Sequence, residues 1–245
     1  MDNLKTSIGR RIARYLEAPK SNYMPFAITS KDMLCSTLQP GDILLVEGNT
    51  RVSTAIKYLT QSTWSHSAFY VGDHQQDGEL IEAHLEKGVI RVPLAKYDDF
   101  NTRICRPVGL SDSEIGRVVD CVKESLGRTY DLKHIWDLAR YLLPQPPVPE
   151  RFRRRMLALG SGDPSRAICS TLIAEAFQRI GYPILPGTQV GPNAEVILQI
   201  RHHSLFVPRD FDLSPYFRVV KPTIVHGFDH KALSWHGSTS SNATD

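Results

Sequence analysis

A change of hydrophobic period near residue 110 restricts this chain more than any other feature. Before it, short apolar runs of the strand kind succeed one another at 42–46, 66–71, 79–85, 88–92 and 101–106, broken by turn signals such as Pro40-Gly41 and by a helical stretch at 51–60. After it the period becomes 3.6. Ser111 and Ser113 are placed to cap a helix that carries Ile115, Val118, Val119, Val122 and Leu126 on one face, and Gly127 is placed to close it. A second helix is expected at about 132–143, ended by Pro144, Pro146, Pro147 and Pro149. A third, at 168–180, has Leu172, Ile173, Ala176, Phe177 and Ile180 in register and Gly181 just beyond. With a late strand near 217–220, this order predicts an α+β chain built on an antiparallel sheet or partial barrel with packed helices.

At 245 residues the chain has room for about one domain plus an elaboration, taking ~150 residues per domain. Its 29 basic and 26 acidic residues leave a net charge of +3, too small a balance to predict a nucleic-acid partner. The Arg151–Arg155 cluster is local and fits a solvated helix face or one anionic contact. No apolar run approaches the ~20 residues of a membrane span, and the opening MDNLKTSIGRRIARYL has no apolar signal region. A cytoplasmic protein with reduced thiols is therefore expected, with export by a dedicated machinery as the alternative. Residues 3–17 place Leu4, Ile8, Ile12 and Leu16 on one helical stripe, and the stretch after Ser234 has the composition of a disordered tail.

Cys35, Cys105, Cys121 and Cys169 show no metal-binding or redox spacing, and His202-His203 has no further ligands nearby. No metal or cofactor is expected. Cys169, however, opens the helix 168–180, where the helix dipole and unpaired N–H groups favour a thiolate and can hold an oxyanion. His66, at the start of the strand 66–71, is the candidate base, and Glu82, inside the otherwise apolar strand 79–85, the candidate group to orient it. Each residue also has a plain reading. A cysteine in an apolar helix is commonly a small buried hydrophobe, a strand-end histidine a hydrogen-bonding group, and a strand glutamate a solvent-facing one. Cys35, Cys105 and Cys121 read as structural.

Five segments in order, GDILL at 41–45, WSHSAFYVG at 64–72, LIEA at 80–83, Gly127 with Tyr130-Asp131, and ICSTLIAEAF at 168–177, resemble the circularly permuted papain-fold hydrolases. These form the NlpC-like branch with the YiiX-type amidases. The resemblance implies Cys169 as nucleophile, His66 as base, Glu82 as orienter, and Tyr130 as a residue lining the cleft. Ser65 and Ser170, beside the base and the nucleophile, are expected with Tyr130 to contact substrate. The implied layout is an N-terminal extension over 1–37, a catalytic domain over 38–222 with a helical insertion at about 132–160, and a C-terminal tail over 223–245. The implied activity is hydrolysis of an amide in a peptide-like substrate, of which a peptidoglycan fragment is one. Acyl transfer by the same dyad and a non-catalytic binding module are the alternatives.

One geometric test follows from the residues alone. His66 and Glu82 share a face only if the hairpin pairs residues whose numbers sum to an even value, because side chains alternate with period two. The tightest turn, pairing Val71 with Leu80, has an odd sum, so a bulge or a wider loop is required.

Overall fold

The computed structural model describes residues 14–19, 27–72, 80–84, 87–129, 168–190 and 196–232. The expected stripe at Leu4, Ile8 and Ile12, the loop 73–78, Tyr130, the helix and insertion expected between 132 and 160, and the tail after Ser234 lie outside these residues. At the centre is an open six-stranded sheet in the order β4-β3-β2-β1-β5-β8. The strands are β1 (Ile43–Val46), β2 (His66–Tyr70), β3 (Leu80–His84), β4 (Gly88–Val92), β5 (Thr102–Pro107) and β8 (Phe217–Val220). All five pairings are antiparallel.

Both faces of the sheet are covered, which is why β1 reads as an unbroken apolar run rather than an alternating one. Ile43, Leu45, Phe69, Ile81 and Cys105 turn to one side, into a core with α3 (Asp112–Lys123) and α4 (Ile168–Arg179). Leu44, Val46, Ala68, Tyr70, Leu80 and Ile104 turn to the other, where Leu34, Leu38, Leu94 and Tyr97 close over them. Leu34 comes from α1 (Lys31–Thr37), and Leu94 and Tyr97 from a single 3-10 turn, Leu94–Tyr97, entered through Pro93. Leu16, from the expected N-terminal stripe, is fully buried.

The helix expected from residue 111 starts at Asp112, with Ser111 forming a capping box with Glu114. It ends at Lys123, before Leu126, which is 36% exposed and does not join the apolar face. That face is carried by Val118, Val119 and Val122. Helix α2 (Arg51–Thr60) occupies the helical stretch expected there, and α4 runs over 168–179. Besides 3-10 turns, the described residues add to the sequence expectation α1, a two-stranded hairpin of β6 (Gly187–Val190) and β7 (Val196–Gln199), α5 (Pro208–Leu213) and α6 (Pro222–Val225). Helix α6 packs on α1, where His226 Nε2 meets Ser36 Oγ at 3.1 Å and Thr37 Oγ1 at 3.0 Å. Of the cysteines expected to be structural, Cys105 is buried, Cys121 is partly buried against the core, and Cys35 is exposed.

Candidate active site

The site forms where β2, β3, α4 and the Leu94–Tyr97 turn meet. The β2–β3 hairpin pairs Phe69 with Ile81 and Tyr70 with Leu80, an even sum. The register is the wider-loop one, not the tight turn, and it puts His66 and Glu82 on the same face as Tyr70 and Leu80. His66 Nε2 lies 3.0 Å from Glu82 Oε2. A carboxylate therefore occupies a position in the second core layer that its neighbours fill with apolar groups.

Glu82 is 1% exposed, and a charge at that depth requires partners. It has three. Oε2 also accepts the Tyr97 hydroxyl, and Oε1 accepts the Lys96 ammonium, which reaches inward from a side chain 39% exposed. Burial works to neutralise the carboxyl, but His66 and Lys96 outweigh it and hold it well below the usual carboxylate range. Burial and the Glu82 charge push the Tyr97 phenol well above its ordinary value, so it stays a neutral donor.

With Nε2 taken by Glu82, Nδ1 is the ring nitrogen left for Cys169. The Cys169 thiol is 5% exposed, and the His66 ring and the Ser67 hydroxyl and backbone act on its charge. Burial raises a thiol, yet the His66 imidazolium and the Ser67 donors bring Cys169 down to about 7. Burial lowers an imidazole, yet Cys169 and Glu82 raise His66 to about 10. Between those two values the favoured form is the thiolate–imidazolium pair.

Ser65 and Ser170, expected to contact substrate, are both buried with their hydroxyls engaged inside the protein. Ser65 Oγ accepts the Gly48 N–H at 3.0 Å, and Ser170 Oγ lies 3.2 Å from Ser67 Oγ. Two groups were not read from the sequence. Lys96 and Tyr97 follow Pro93 in a short irregular turn without periodicity; a cation and a phenol just beyond the strand paired with the Glu82 strand were their only signal. Close to His66 in sequence, Trp64 Nε1 donates to Asp212 Oδ2 at 3.2 Å, and Arg103 stacks on the Trp64 ring at 4.9 Å while pairing Asp212 at 2.7 and 3.0 Å. His202 and His203 stack at 4.1 Å, and His202 accepts from the Ser204 N–H. Among the described residues no three metal-ligating side chains gather, and no helix is long and apolar enough to cross a membrane.

Residues 37–142 match the family model described as permuted papain-like amidase enzyme, YaeF/YiiX, C92 family. The match bears out the resemblance to the permuted papain-like amidases and the α+β fold that it implies. Its span takes in His66 and Glu82 and stops short of Cys169. Among solved structures, metalloprotein yiiX from Escherichia coli O157:H7 is similar at 16% identity and a TM-score of 0.45, over 75% of this chain and 96% of that one. No curated protein matches.

Proposed function

We propose that this chain is a cysteine amidase acting on a peptide-like substrate, with Cys169 as nucleophile, His66 as acid and base, and Glu82 as the group that orients His66. One observation carries the proposal: His66, hydrogen-bonded at 3.0 Å to the buried Glu82 carboxylate, is electrostatically coupled to the buried Cys169 near the start of α4. The Cys169 thiolate attacks the amide carbonyl, forming a carbon–sulfur bond. Backbone N–H at the start of α4 receives the oxyanion. His66 gives its Nδ1 proton to the leaving nitrogen as the carbon–nitrogen bond breaks, which leaves a thioester and a free amine. Neutral His66 then takes a proton from water as the water attacks the thioester. The acid leaves, and the thiolate–imidazolium pair is restored.

Ser67 serves the thiolate directly as a donor, while Ser65 and Ser170 act behind it by fixing the Gly48 loop and the Ser67 hydroxyl. Tyr130 is assigned to the substrate cleft from the family resemblance alone. A cell-wall peptide is the substrate class proposed, because the resemblance points to amidases of that kind. The test is a panel of cell-wall tripeptides and tetrapeptides incubated with wild type and with Cys169→Ala. Release of a new amine by wild type and none by the variant is expected. Turnover that survives Cys169→Ala would overturn the mechanism. Acyl transfer from a phospholipid to an amine, lost in Cys169→Ala, would keep the nucleophile and replace hydrolysis by transfer.

A further inference from the structure

The Glu82 carboxylate is held from two sides by groups of different kinds. Oε2 takes His66 and the neutral Tyr97 hydroxyl, whereas Oε1 takes the one full positive charge that comes from outside the Cys169–His66–Glu82 line, Lys96. The turn that presents Lys96 is anchored on both sides of it, by Leu94 and Tyr97, 3% and 4% exposed. The ammonium also lies 5.1 Å from the Tyr97 ring centroid. On the same face of β3, two residues from Glu82, His84 is paired with Glu17 at 3.2 Å and so has its own counter-charge. Val46 stands opposite His66 on β1, and Ile90 stands opposite Glu82 on β4. Asp98, next along the chain, is paired at 3.4 Å with Lys31 from α1.

We propose that Lys96 is the counter-charge of the site and sets the pH at which Cys169 becomes a thiolate. The inference rests on the Cys169–His66 reading above. With Lys96 the charges alternate, thiolate, imidazolium, carboxylate, ammonium, and sum to zero. Without it the same buried group carries a net negative charge, and every protonated form within reach is favoured. Both titrations then move to higher pH, and the fraction of thiolate near neutrality falls. Lys96 touches no reacting atom; it is a positioning residue that acts through Glu82 and His66. Its partial exposure limits the effect, because solvent screens part of its charge.

The proposal is tested with the full chain and iodoacetamide as probe, measuring Cys169 labelling against pH by peptide mass spectrometry. The His66 ring is titrated in parallel by NMR, its signal assigned by its loss in His66→Ala. In Lys96→Met the labelling midpoint and the His66 titration are expected to rise together by about one pH unit, while Lys96→Arg keeps both at the wild-type values. Unchanged midpoints in Lys96→Met would overturn the proposal, as would a Lys96→Arg variant that shifts as far as Lys96→Met. Lys96→Gln, which keeps a donor and loses the charge, is read in the same way. If neither neutral variant folds while Lys96→Arg does, Lys96 is a structural ion pair and the proposal fails. His66→Ala separates the two levels. If it leaves the labelling midpoint near 7, the Cys169–His66 pairing itself is wrong; if it moves the midpoint and Lys96→Met does not, only the role of Lys96 is wrong.

Discussion

Cys169 and His66 each sit where burial alone works against their charged forms, and each is charged because of the other. That mutual dependence fixes a sign for the pH response. As pH rises through about 7, the proton leaves the Cys169 thiol and the ion pair forms; as it rises through about 10, His66 loses its own proton and with it the acid that the leaving amine needs. Turnover of a peptide amide is therefore expected to climb through the first value and fall through the second. Alkylation is simpler, since it needs only the thiolate. Labelling of Cys169 should be half-maximal near pH 7, below the ~8.5 of an ordinary free thiol. A midpoint at or above the ordinary value, in a competition that includes the exposed Cys35, would remove the thiolate from the mechanism. At this scale the residues proposed to react were legible in the sequence, because a cysteine opening a helix and a histidine opening a strand are visible positions. It did not carry Lys96 and Tyr97. Their role comes from tertiary proximity to Glu82 across 14 and 15 residues of chain, and no local period marks it.

Among the elements, the central strands and the helices at 112–123 and 168–179 were legible, because each buries a face with a regular repeat. The register of β2 on β3 was not legible, because it depends on the turn between them rather than on the strands. Nor was the β6–β7 hairpin, whose strands are only four residues each, or the coupling of Trp64 to Asp212, separated by 148 residues. The segment joining β1 to α2 shows how tightly the elements fit behind the site. Gly48 donates its N–H to Ser65 Oγ, and a Cβ built on Gly48 would come within 3.0 Å of that oxygen and closer still to Ser53 Oγ. Ser53 is buried and bonds Thr50 Oγ1 at 2.8 Å at the start of α2, so it yields only by giving up that contact. Gly48→Ala is accordingly expected to destabilise the chain by about 1–3 kcal/mol through overpacking, and to slow Cys169 labelling by displacing Ser65 and the start of β2. Thermal unfolding and labelling rate measure the two effects. A variant as stable as wild type and labelled as fast would show that this contact does not position His66.

Across the whole molecule, one buried ion pair links the end of α1 and the turn before β1 to the sheet. Arg106 on β5 places Nε 2.7 Å from Asp42 Oδ1 and Nη2 2.6 Å from Oδ2, and the same Nη2 donates to the Thr37 carbonyl at the end of α1 at 2.7 Å. Asp42 also accepts the Gln39 N–H at 2.8 Å, so the turn leading into the sheet and the helix before it share one anchor. Thr37 in turn meets His226, which links α6 to the same point. The pair is not a simple gain in stability. Burial pushes the Asp42 carboxyl above its ordinary value even with Arg106 against it, so desolvation outweighs the attraction. Its worth lies in what is left when one partner goes. Arg106→Met leaves a carboxylate 1% exposed without its cation and the Thr37 carbonyl without its donor, and a loss of about 3–5 kcal/mol is expected. Adding Asp42→Asn to that variant removes the unpaired charge and should restore part of the loss. Denaturant unfolding of wild type, the single variant and the double variant measures both steps. A single variant within 1 kcal/mol of wild type, about the size of a surface pair, would mean that α1 and the sheet are held together by apolar packing alone.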